Sequence, residues 1–307
     1  MLRKLTLSFA FAVCAYTYSF NVNAAPIRVV ATIPPIHSMV AMVLDGIATP
    51  KLIVEGYASP HDYAMSPSDA SDIAQADIIF WFGPGLEGFL IKSIENLDTR
   101  TRVVTLDSDA KPQEKHTEDA HKHSHKHEHE HEHEHHGEDP HFWLDPEKVE
   151  HAIEKIAASL AALLPAHQKQ IDTNLKKALS ELAILETDIK KIVAPIKDKE
   201  AVVLHDAYGQ FTAHFGLKPF IPLSVTPDHR PGPAKLRKIR QLIKEHSIGC
   251  VFREPQYPKR YTALLIEGST AREGTLDPLG GGLTPGPDLY GKLLRTLATS
   301  LRDCLSP

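Results

Sequence analysis

Residues 146–195 of a 307-residue chain read "PEKVEHAIEKIAASLAALLPAHQKQIDTNLKKALSELAILETDIKKIVAP" and give the clearest indication of its architecture. In its second half, apolar residues recur every three or four positions, as in an amphipathic helix. They are Ile171, Leu175, Ala178, Leu182, Leu185, Ile189 and Ile192. We expect one rigid helix over residues 166–194, about 45 Å long at about 1.5 Å per residue. A coiled-coil dimer seam is the alternative, but only about three heptads are available.

Units of strand, turn and helix precede this helix. The apolar runs are "IRVVAT" (27–32), "KLIV" (51–54), "DIIFWFG" (77–83) and "RVVTL" (102–106). Among the helices between them, one begins after Ser66, a capping residue followed by proline, and another is predicted over residues 86–94. Strands this continuously apolar suit a parallel sheet covered on both faces.

The same pattern returns after the long helix. Its strands are "AVVLH" (201–205), "FIPL" (220–223), "IGCVF" (248–252) and "GTL" (274–276), and a last helix ends near Cys304. The predicted fold class is α/β, with two lobes that each hold a roughly four-stranded, mostly parallel sheet flanked by helices, bridged by one long rigid α-helix. The predicted segments are an N-terminal lobe (25–112), its end and the entry to the linker (139–165), the bridging helix (166–194) and a C-terminal lobe (195–307).

Residues 1–24, "MLRKLTLSFAFAVCAYTYSFNVNA", combine Arg3 and Lys4 with an apolar run and a small-residue ending. This pattern predicts a secretory signal peptide cleaved after Ala24 or Ala25. A membrane anchor is the alternative, but the apolar run is shorter than the ~20 residues that a spanning helix needs.

Cysteine content and charge narrow the class of protein further. Cleavage would leave Cys250 and Cys304, which in an exported protein most simply form one disulfide. Two thiolate metal ligands are a weaker alternative, because the cysteines are far apart and neither has a nearby partner. The formal net charge is −5 and no basic arm is visible, so nucleic acid is not an expected partner.

A histidine-rich run, "HKHSHKHEHEHEHEHHGEDPHFWLDP", covers residues 121–146. Residues 113–138 lack the apolar side chains needed to order a backbone, which predicts a disordered loop. The pattern H-E-x-x-H occurs here three times, but any alternation of His and Glu produces it without the helix that a zinc protease needs. Either the loop binds metal weakly as an accessory site, or it is a tolerated solvated insertion. The accessory candidates are His121, His123, His125, His127, His129, His131, His133, His135 and His136.

Three other histidines lie in ordered contexts: His61 after the second strand, His141 in "DPHFWLDP", and His205 at the end of "AVVLH". Ligands of open α/β sheets bind beyond the carboxyl ends of the strands, so His61 and His205 should face a cleft from opposite lobes. Three imidazoles suit Zn²⁺, and Asp277 in "GTLDPLGGG" is the natural oxygen donor. The histidines read as surface or packing residues are His37, His151, His167, His214, His229 and His246.

Six motifs together carry a family resemblance. They are "SPHDYAMSPSD", "DIIFWFGPGLEGFL", "EDPHFWLDP", "VVLHDAYGQFTAHFGL", "CVFREPQY" and "GTLDPLGGG". They resemble the corresponding motifs of the periplasmic zinc-binding proteins of ABC-type zinc uptake systems, the ZnuA type, over nearly the whole mature chain. The resemblance implies a periplasmic protein that holds zinc between two lobes and passes it to an inner-membrane permease with a cytoplasmic ATPase. It places the three zinc histidines at His61, His141 and His205. A disulfide between Cys250 and Cys304 and an acidic His-rich insertion also resemble this zinc branch.

The chain departs from that pattern at one position. Some relatives have a glutamate just before the first histidine, where this sequence has Pro60. The fourth ligand is therefore expected to be Asp277 or water. Manganese relatives have glutamate at the third histidine position, so His205 favours zinc over the alternative of manganese uptake.

The leading hypothesis is a non-catalytic, monomeric protein that captures Zn²⁺ in the periplasm. Because protonated histidines do not bind metal, affinity should fall below pH ~6.5, the ordinary histidine pKa. A zinc hydrolase is the rival, but no G-x-S-x-G motif occurs and only Asp277 or Glu254 offers a general base. A surface adhesin is a third reading, for which nothing in the sequence specifies a partner.

Overall fold

The computed structural model describes residues 26–106, 139–224 and 231–306. The predicted signal peptide, the nine accessory histidines and His229 lie outside these residues, as does the loop predicted over residues 113–138. Within the described ranges, none of the helices has both the length and the apolar character required to cross a bilayer.

The N-terminal lobe is built on a parallel sheet with strand order β2-β1-β3-β4. The strands are β1 (Val29–Ala31), β2 (Lys51–Leu52), β3 (Ile78–Trp81) and β4 (Arg102–Thr105), and the helices are α1 (Pro34–Val43), α2 (Pro67–Ala74) and α3 (Ile91–Glu95). The helix predicted over 86–94 is instead a 3-10 turn, Gly88–Leu90, followed by α3. Buried Glu87 explains the late start, because its Oε2 accepts a hydrogen bond from the backbone N–H of Phe82 at 2.6 Å and ties the chain to the end of β3.

Two helices connect the lobes. Asp145 caps α4 (Pro146–Leu163) by accepting a hydrogen bond from the backbone N–H of Glu147 at 3.0 Å. Next come a 3-10 turn (Pro165–His167), α5 (Gln168–Val193) and a second 3-10 turn (Ala194–Ile196), so the predicted long helix is confirmed.

The buried face of α5 follows the predicted spacing of apolar residues, with two exceptions. Asn174 and Val193 are buried, whereas their neighbours Leu175 and Ile192 are half-buried. Asn174 is buried because its side-chain amide donates hydrogen bonds to the carbonyl oxygens of Val43 and Asp45, each at 2.9 Å, where α1 ends. The amide thus satisfies carbonyls that the end of a helix leaves unpaired.

The C-terminal lobe repeats the parallel arrangement, with strand order β6-β5-β7-β8. Its strands are β5 (Val202–His205), β6 (Ile221–Ser224), β7 (Cys250–Arg253) and β8 (Arg272–Thr275), and its helices are α6 (Gly209–Phe215), α7 (Pro233–Glu245), α8 (Arg260–Ile266) and α9 (Leu289–Leu305). The predicted fold class of two four-stranded α/β lobes bridged by a long helix is therefore confirmed.

The two lobes share one hydrophobic core. It runs from the strands of the N-terminal lobe through α4 and α5 to α9 and β7, and a smaller apolar cluster covers the other face of the second sheet. A disulfide joins Cys250 of β7 to Cys304 of α9, with the Cα atoms 6.0 Å apart, so the predicted pairing is confirmed. Because α5 packs against α1, α4 and α9, pulling the lobes apart would expose apolar surface.

The lobes also meet in a contact between two loops that requires glycine. A Cβ added at Gly281 would lie 2.0 Å from the carbonyl oxygen of Gly56. One added at Gly282 would lie 2.3 Å from the Tyr57 hydroxyl oxygen. Gly281 admits no side chain in this arrangement because it faces backbone, whereas a side chain at position 282 would require the exposed Tyr57 ring to move.

Candidate metal centre

The structure brings the three predicted histidines together between the lobes. The ring centroids of His61 lie 5.7 Å from His141 and 5.8 Å from His205, and the latter two are 5.2 Å apart. One nitrogen from each ring lies within 4.8 Å of the others. His141 and His205 are each 3% exposed, whereas His61 is half-buried.

His205 ends β5 and is oriented by a carboxylate from the neighbouring strand. Its Nδ1 lies 2.8 Å from Oε1 of Glu254, which follows β7 and is only 1% exposed. The Tyr208 hydroxyl donates to the same oxygen at 3.1 Å. Because an ionised carboxylate can only accept, Nδ1 is the nitrogen that carries the proton, and in the neutral imidazole Nε2 then has a lone pair that can bind a metal.

His141 has the same arrangement on the other side. Its Nδ1 lies 2.7 Å from Oδ1 of Asp139, and its backbone N–H donates to that oxygen at 3.0 Å. Two residues on, the Trp143 indole donates to the carbonyl oxygen of Pro278 at 2.7 Å, which fixes this segment against the C-terminal lobe. The Nε2 atoms of His141 and His205 are 3.4 Å apart, close enough for both to bind one ion in their neutral forms.

His61 lies on a loop held by contacts within its own lobe and by one contact from the other lobe. Its backbone N–H donates to the Ser59 hydroxyl at 3.3 Å, and the Tyr257 hydroxyl donates to the same atom from the other lobe at 3.2 Å. Further along, the Tyr63 hydroxyl contacts Oδ2 of Asp69 at 3.0 Å. Asp69 belongs to the capping box that begins α2, so the loop is anchored to the helix that follows it.

The electrostatics of the site keep two of these imidazoles neutral to unusually low pH. Burial lowers the pKa of His61 to about 3, and repulsion from His141 and His205 adds to that shift. Burial also lowers the pKa of His141, against the opposing effect of its hydrogen bond to Asp139. The expectation that binding weakens below pH ~6.5 assumed ordinary histidines, so for these two rings it is revised to lower pH.

Asp277 lies outside this group of converging nitrogens. Its Oδ1 accepts hydrogen bonds from the Gln256 side chain at 2.9 Å and from the backbone N–H groups of Leu279 and Gly280 at 3.2 and 3.0 Å. Three donors on one oxygen make this carboxylate the organiser of the turn after β8.

The sequence did not identify the orienting carboxylates. Asp139 precedes His141 by two residues, and that spacing was the available signal for it. Glu254 was considered only as a general base, but its position directly after a strand could have suggested that it reaches the same edge of the sheet as His205.

A second group of metal-type donors consists of Asp145, Glu147 and His214. Here Nδ1 of His214 lies 2.8 Å from Oδ1 of Asp145, and Nε2 lies 3.0 Å from Oε1 of Glu186. Both ring nitrogens therefore face carboxylates, which suits an imidazolium donating two hydrogen bonds. This histidine, read from the sequence as a surface or packing residue, links α6, α4 and α5.

Comparison with protein families gives one match over most of the chain. Residues 29–304 match the family described as "ZnuA: Zinc-uptake complex component A periplasmic". The chain is 42% identical, over 91% of its own length and 91% of the relative, to the high-affinity zinc uptake system protein ZnuA of Brucella suis.

Solved structures share the fold. A structure described as "Crystal structure of ZnuA" has a TM-score of 0.77 at 22% identity, covering 92% of this chain and 100% of that one. The periplasmic zinc-binding protein TroA from Treponema pallidum has a TM-score of 0.78 at 19% identity, with the same coverage. At these identities the likeness concerns the arrangement of the two lobes and the bridging helix.

Proposed function

Since the chain belongs to the ZnuA family of periplasmic zinc-uptake complex components, we propose that it captures Zn²⁺ in the cleft between its lobes with His61, His141 and His205. It then delivers the ion to an inner-membrane permease driven by a cytoplasmic ATPase. The chain acts as a monomer and catalyses no reaction. Residues 1–24 direct it to the periplasm and are removed.

The observation that carries this proposal is the approach of two imidazole nitrogens: Nε2 of His141 lies 3.4 Å from Nε2 of His205. In the neutral tautomers with the proton on Nδ1, each Nε2 offers a lone pair, and a cation between them would bind both. Two ligands of a tetrahedral zinc ion with bonds of about 2.0–2.1 Å lie about 3.3–3.4 Å apart. The carboxylates of Asp139 and Glu254 hold both rings in the required tautomer, as carboxylates commonly do for metal-bound histidines.

The type of donor supports zinc over manganese. Three imidazole nitrogens suit zinc, whereas Mn²⁺ favours carboxylate, carbonyl and water oxygens. Asp277 does not belong to the described group of ligand atoms that lie within 4.8 Å of one another, so of the two predicted candidates, Asp277 and water, the fourth position goes to water. His61 is the most exposed of the three ligands, so the ion enters and leaves the cleft past His61.

The nine histidines of residues 121–136 act as an accessory site in this proposal. Neutral imidazoles in a histidine-rich tract bind zinc weakly and several ions at a time, which raises the local supply of zinc.

A zinc titration against a calibrated chelator tests the proposal. It compares the mature protein with a variant lacking residues 116–136 and with the same variant carrying His205→Ala. We expect one tight site to survive the deletion and to weaken by at least about 100-fold with His205→Ala, because a zinc ligand is lost. Tight binding that disappears with residues 116–136, or that persists in His205→Ala, would assign the site elsewhere.

A further inference from the structure

Asp139 contacts both a proposed zinc ligand and the opposite lobe. Its Oδ1 accepts the two hydrogen bonds from His141, from Nδ1 at 2.7 Å and the backbone at 3.0 Å. Its Oδ2 accepts a hydrogen bond from the backbone N–H of Gln210 at 3.2 Å, in the first turn of α6. The Gln210 side chain donates to the Asp139 carbonyl oxygen at 3.3 Å. One carboxylate thus joins His141 to the helix that follows His205.

Gly209 makes this contact possible. It is the first residue of α6, and a Cβ added there would lie 2.8 Å from Oδ2 of Asp139. That distance is a few tenths of an ångström too short for a carbon and an oxygen, so a side chain at position 209 would force the Asp139 carboxylate to shift. The absence of a side chain at Gly209 therefore lets the carboxylate face α6 and His141 at the same time.

The two sides of the carboxylate are mechanically linked. Oδ1 and Oδ2 belong to one planar group on a short side chain, so rotation that breaks the bond to Gln210 also changes the angle at which Oδ1 meets His141. The direction of the His141 lone pair follows the orientation of its ring, which the Asp139 bond sets. Contact between the lobes at α6 should then change how well Nε2 points at the ion.

We propose that Asp139 is a positioning residue that couples zinc binding by His141 to the docking of α6 against the N-terminal lobe. The inference rests on the proposed zinc function and adds a means by which that site is regulated. Coupling between two equilibria is reciprocal, so a bound ion strengthens the docking of α6 by the same factor by which docking strengthens ion binding. A partner that displaces α6 from Asp139 would lower the affinity for zinc.

A double-mutant cycle on the full mature chain tests this coupling. The variants are Asp139→Asn, Gly209→Ala and the double variant, and the tightest site is titrated with zinc against a chelator. We expect Asp139→Asn to weaken binding by about 10- to 100-fold, the usual effect of removing a group that orients a metal ligand. Gly209→Ala changes no proposed ligand, but it should also lower the affinity for zinc, because the added methyl group displaces the Asp139 carboxylate. The double variant should be no weaker than Asp139→Asn, because the carboxylate through which Gly209→Ala acts is gone.

Controls separate coupling from a general loss of stability. Gly232→Ala, at a glycine before α7 where an added Cβ meets nothing within 4 Å, should leave the affinity unchanged. Asp139→Glu should partly restore the affinity lost in Asp139→Asn. Thermal unfolding of the zinc-free proteins should show no drop for Gly209→Ala that accounts for its weaker binding.

The outcomes distinguish this inference from the proposed function. If His205→Ala keeps the tight site, the proposed zinc function fails and the inference fails with it. If His205→Ala loses the site but Gly209→Ala binds zinc like the wild type, or the effects of the two substitutions simply multiply, only the coupling through Asp139 is overturned.

Discussion

At the scale of single residues, the cleft histidines differ from free histidine because they are buried. Each proton that must leave for zinc to bind adds one unit to the slope of log affinity against pH. The pKa of His61 is lowered to about 3 and that of His141 is also lowered, so protons compete with zinc for these two rings only at low pH. Between pH 5.5 and 7.5 we expect a slope of no more than about one, where three ordinary histidines would approach three below their pKa.

Chelator competition at a series of pH values measures this slope. The protein should lack residues 116–136, so that other imidazoles do not contribute, and the chelator must be calibrated at each pH. A slope of two or more between pH 5.5 and 6.5 would show that the rings titrate like exposed histidines.

The sequence predicted the three cleft histidines but not the groups that orient them. His61, His141 and His205 could be found because parallel strands deliver their carboxyl ends to one edge, and because the family resemblance named the same positions. Which carboxylate reaches each Nδ1 depends on how neighbouring segments approach in space. Glu254 is 49 residues from His205 along the chain, and no local pattern encodes their pairing.

At the scale of secondary-structure elements, His214 joins three helices. The hydrogen bond from Nδ1 to Asp145 raises its pKa, burial opposes the shift, and Glu186 raises it further. Lys190 also lies beside this cluster, with its Nζ 2.6 Å from Oε1 of Glu186. Because the pKa is higher in the folded state, the stabilisation is fully present below the unfolded pKa of about 6.5 and is lost as the pH rises through the folded value.

Replacing His214 tests this pH dependence. We expect His214→Gln to lower the free energy of unfolding more at pH 6 than at pH 8.5, measured by denaturant unfolding of wild type and variant at both values. His151→Gln serves as the matched control, since His151 is exposed and its ring lies 3.6 Å from Glu154 within α4. An equal loss at both pH values would show that His214 contributes through packing alone.

The helices and strands themselves were largely readable from periodicity. The strands and the long helix follow apolar spacing, which burial enforces along each element. The onset of α3 and the burial of Asn174 were not readable, because both depend on a polar side chain satisfying backbone groups elsewhere in the fold.

At the scale of the whole molecule, the disulfide fastens α9 to the second sheet. Replacing both cysteines, Cys250→Ala with Cys304→Ala, should lower the free energy of unfolding by about 4 kcal/mol on the chain-entropy estimate for a 54-residue separation. Denaturant unfolding measures the change. Zinc affinity at 25 °C should be unaffected, because neither cysteine belongs to the histidine group. Unchanged unfolding in the double variant would mean that the bond does not constrain the unfolded chain.

The sequence pattern predicted two lobes, but it did not predict that the two lobes would share one hydrophobic core. The repeated strand and helix pattern predicts two sheets, and it leaves open which helices cover the seam between them. In the structure α9 of the second lobe packs on α5 and also contacts α1 of the first, so residues far apart in sequence form one apolar cluster. That choice depends on the complementary shapes of helix surfaces.

The core shared by the two lobes limits how much the shape of the molecule can change, and therefore which changes a partner protein can recognise. If zinc binds as proposed, a core shared by the two lobes would leave the outline of the molecule nearly unchanged. Binding would then add two positive charges between Asp139 and Glu254 and alter the placement of the loop that carries His61. A transporter that binds the zinc-loaded protein and rejects the zinc-free protein would then have to recognise the charge and the loop position at the mouth of the cleft. The overall shape of the molecule would differ too little between the two forms to be recognised.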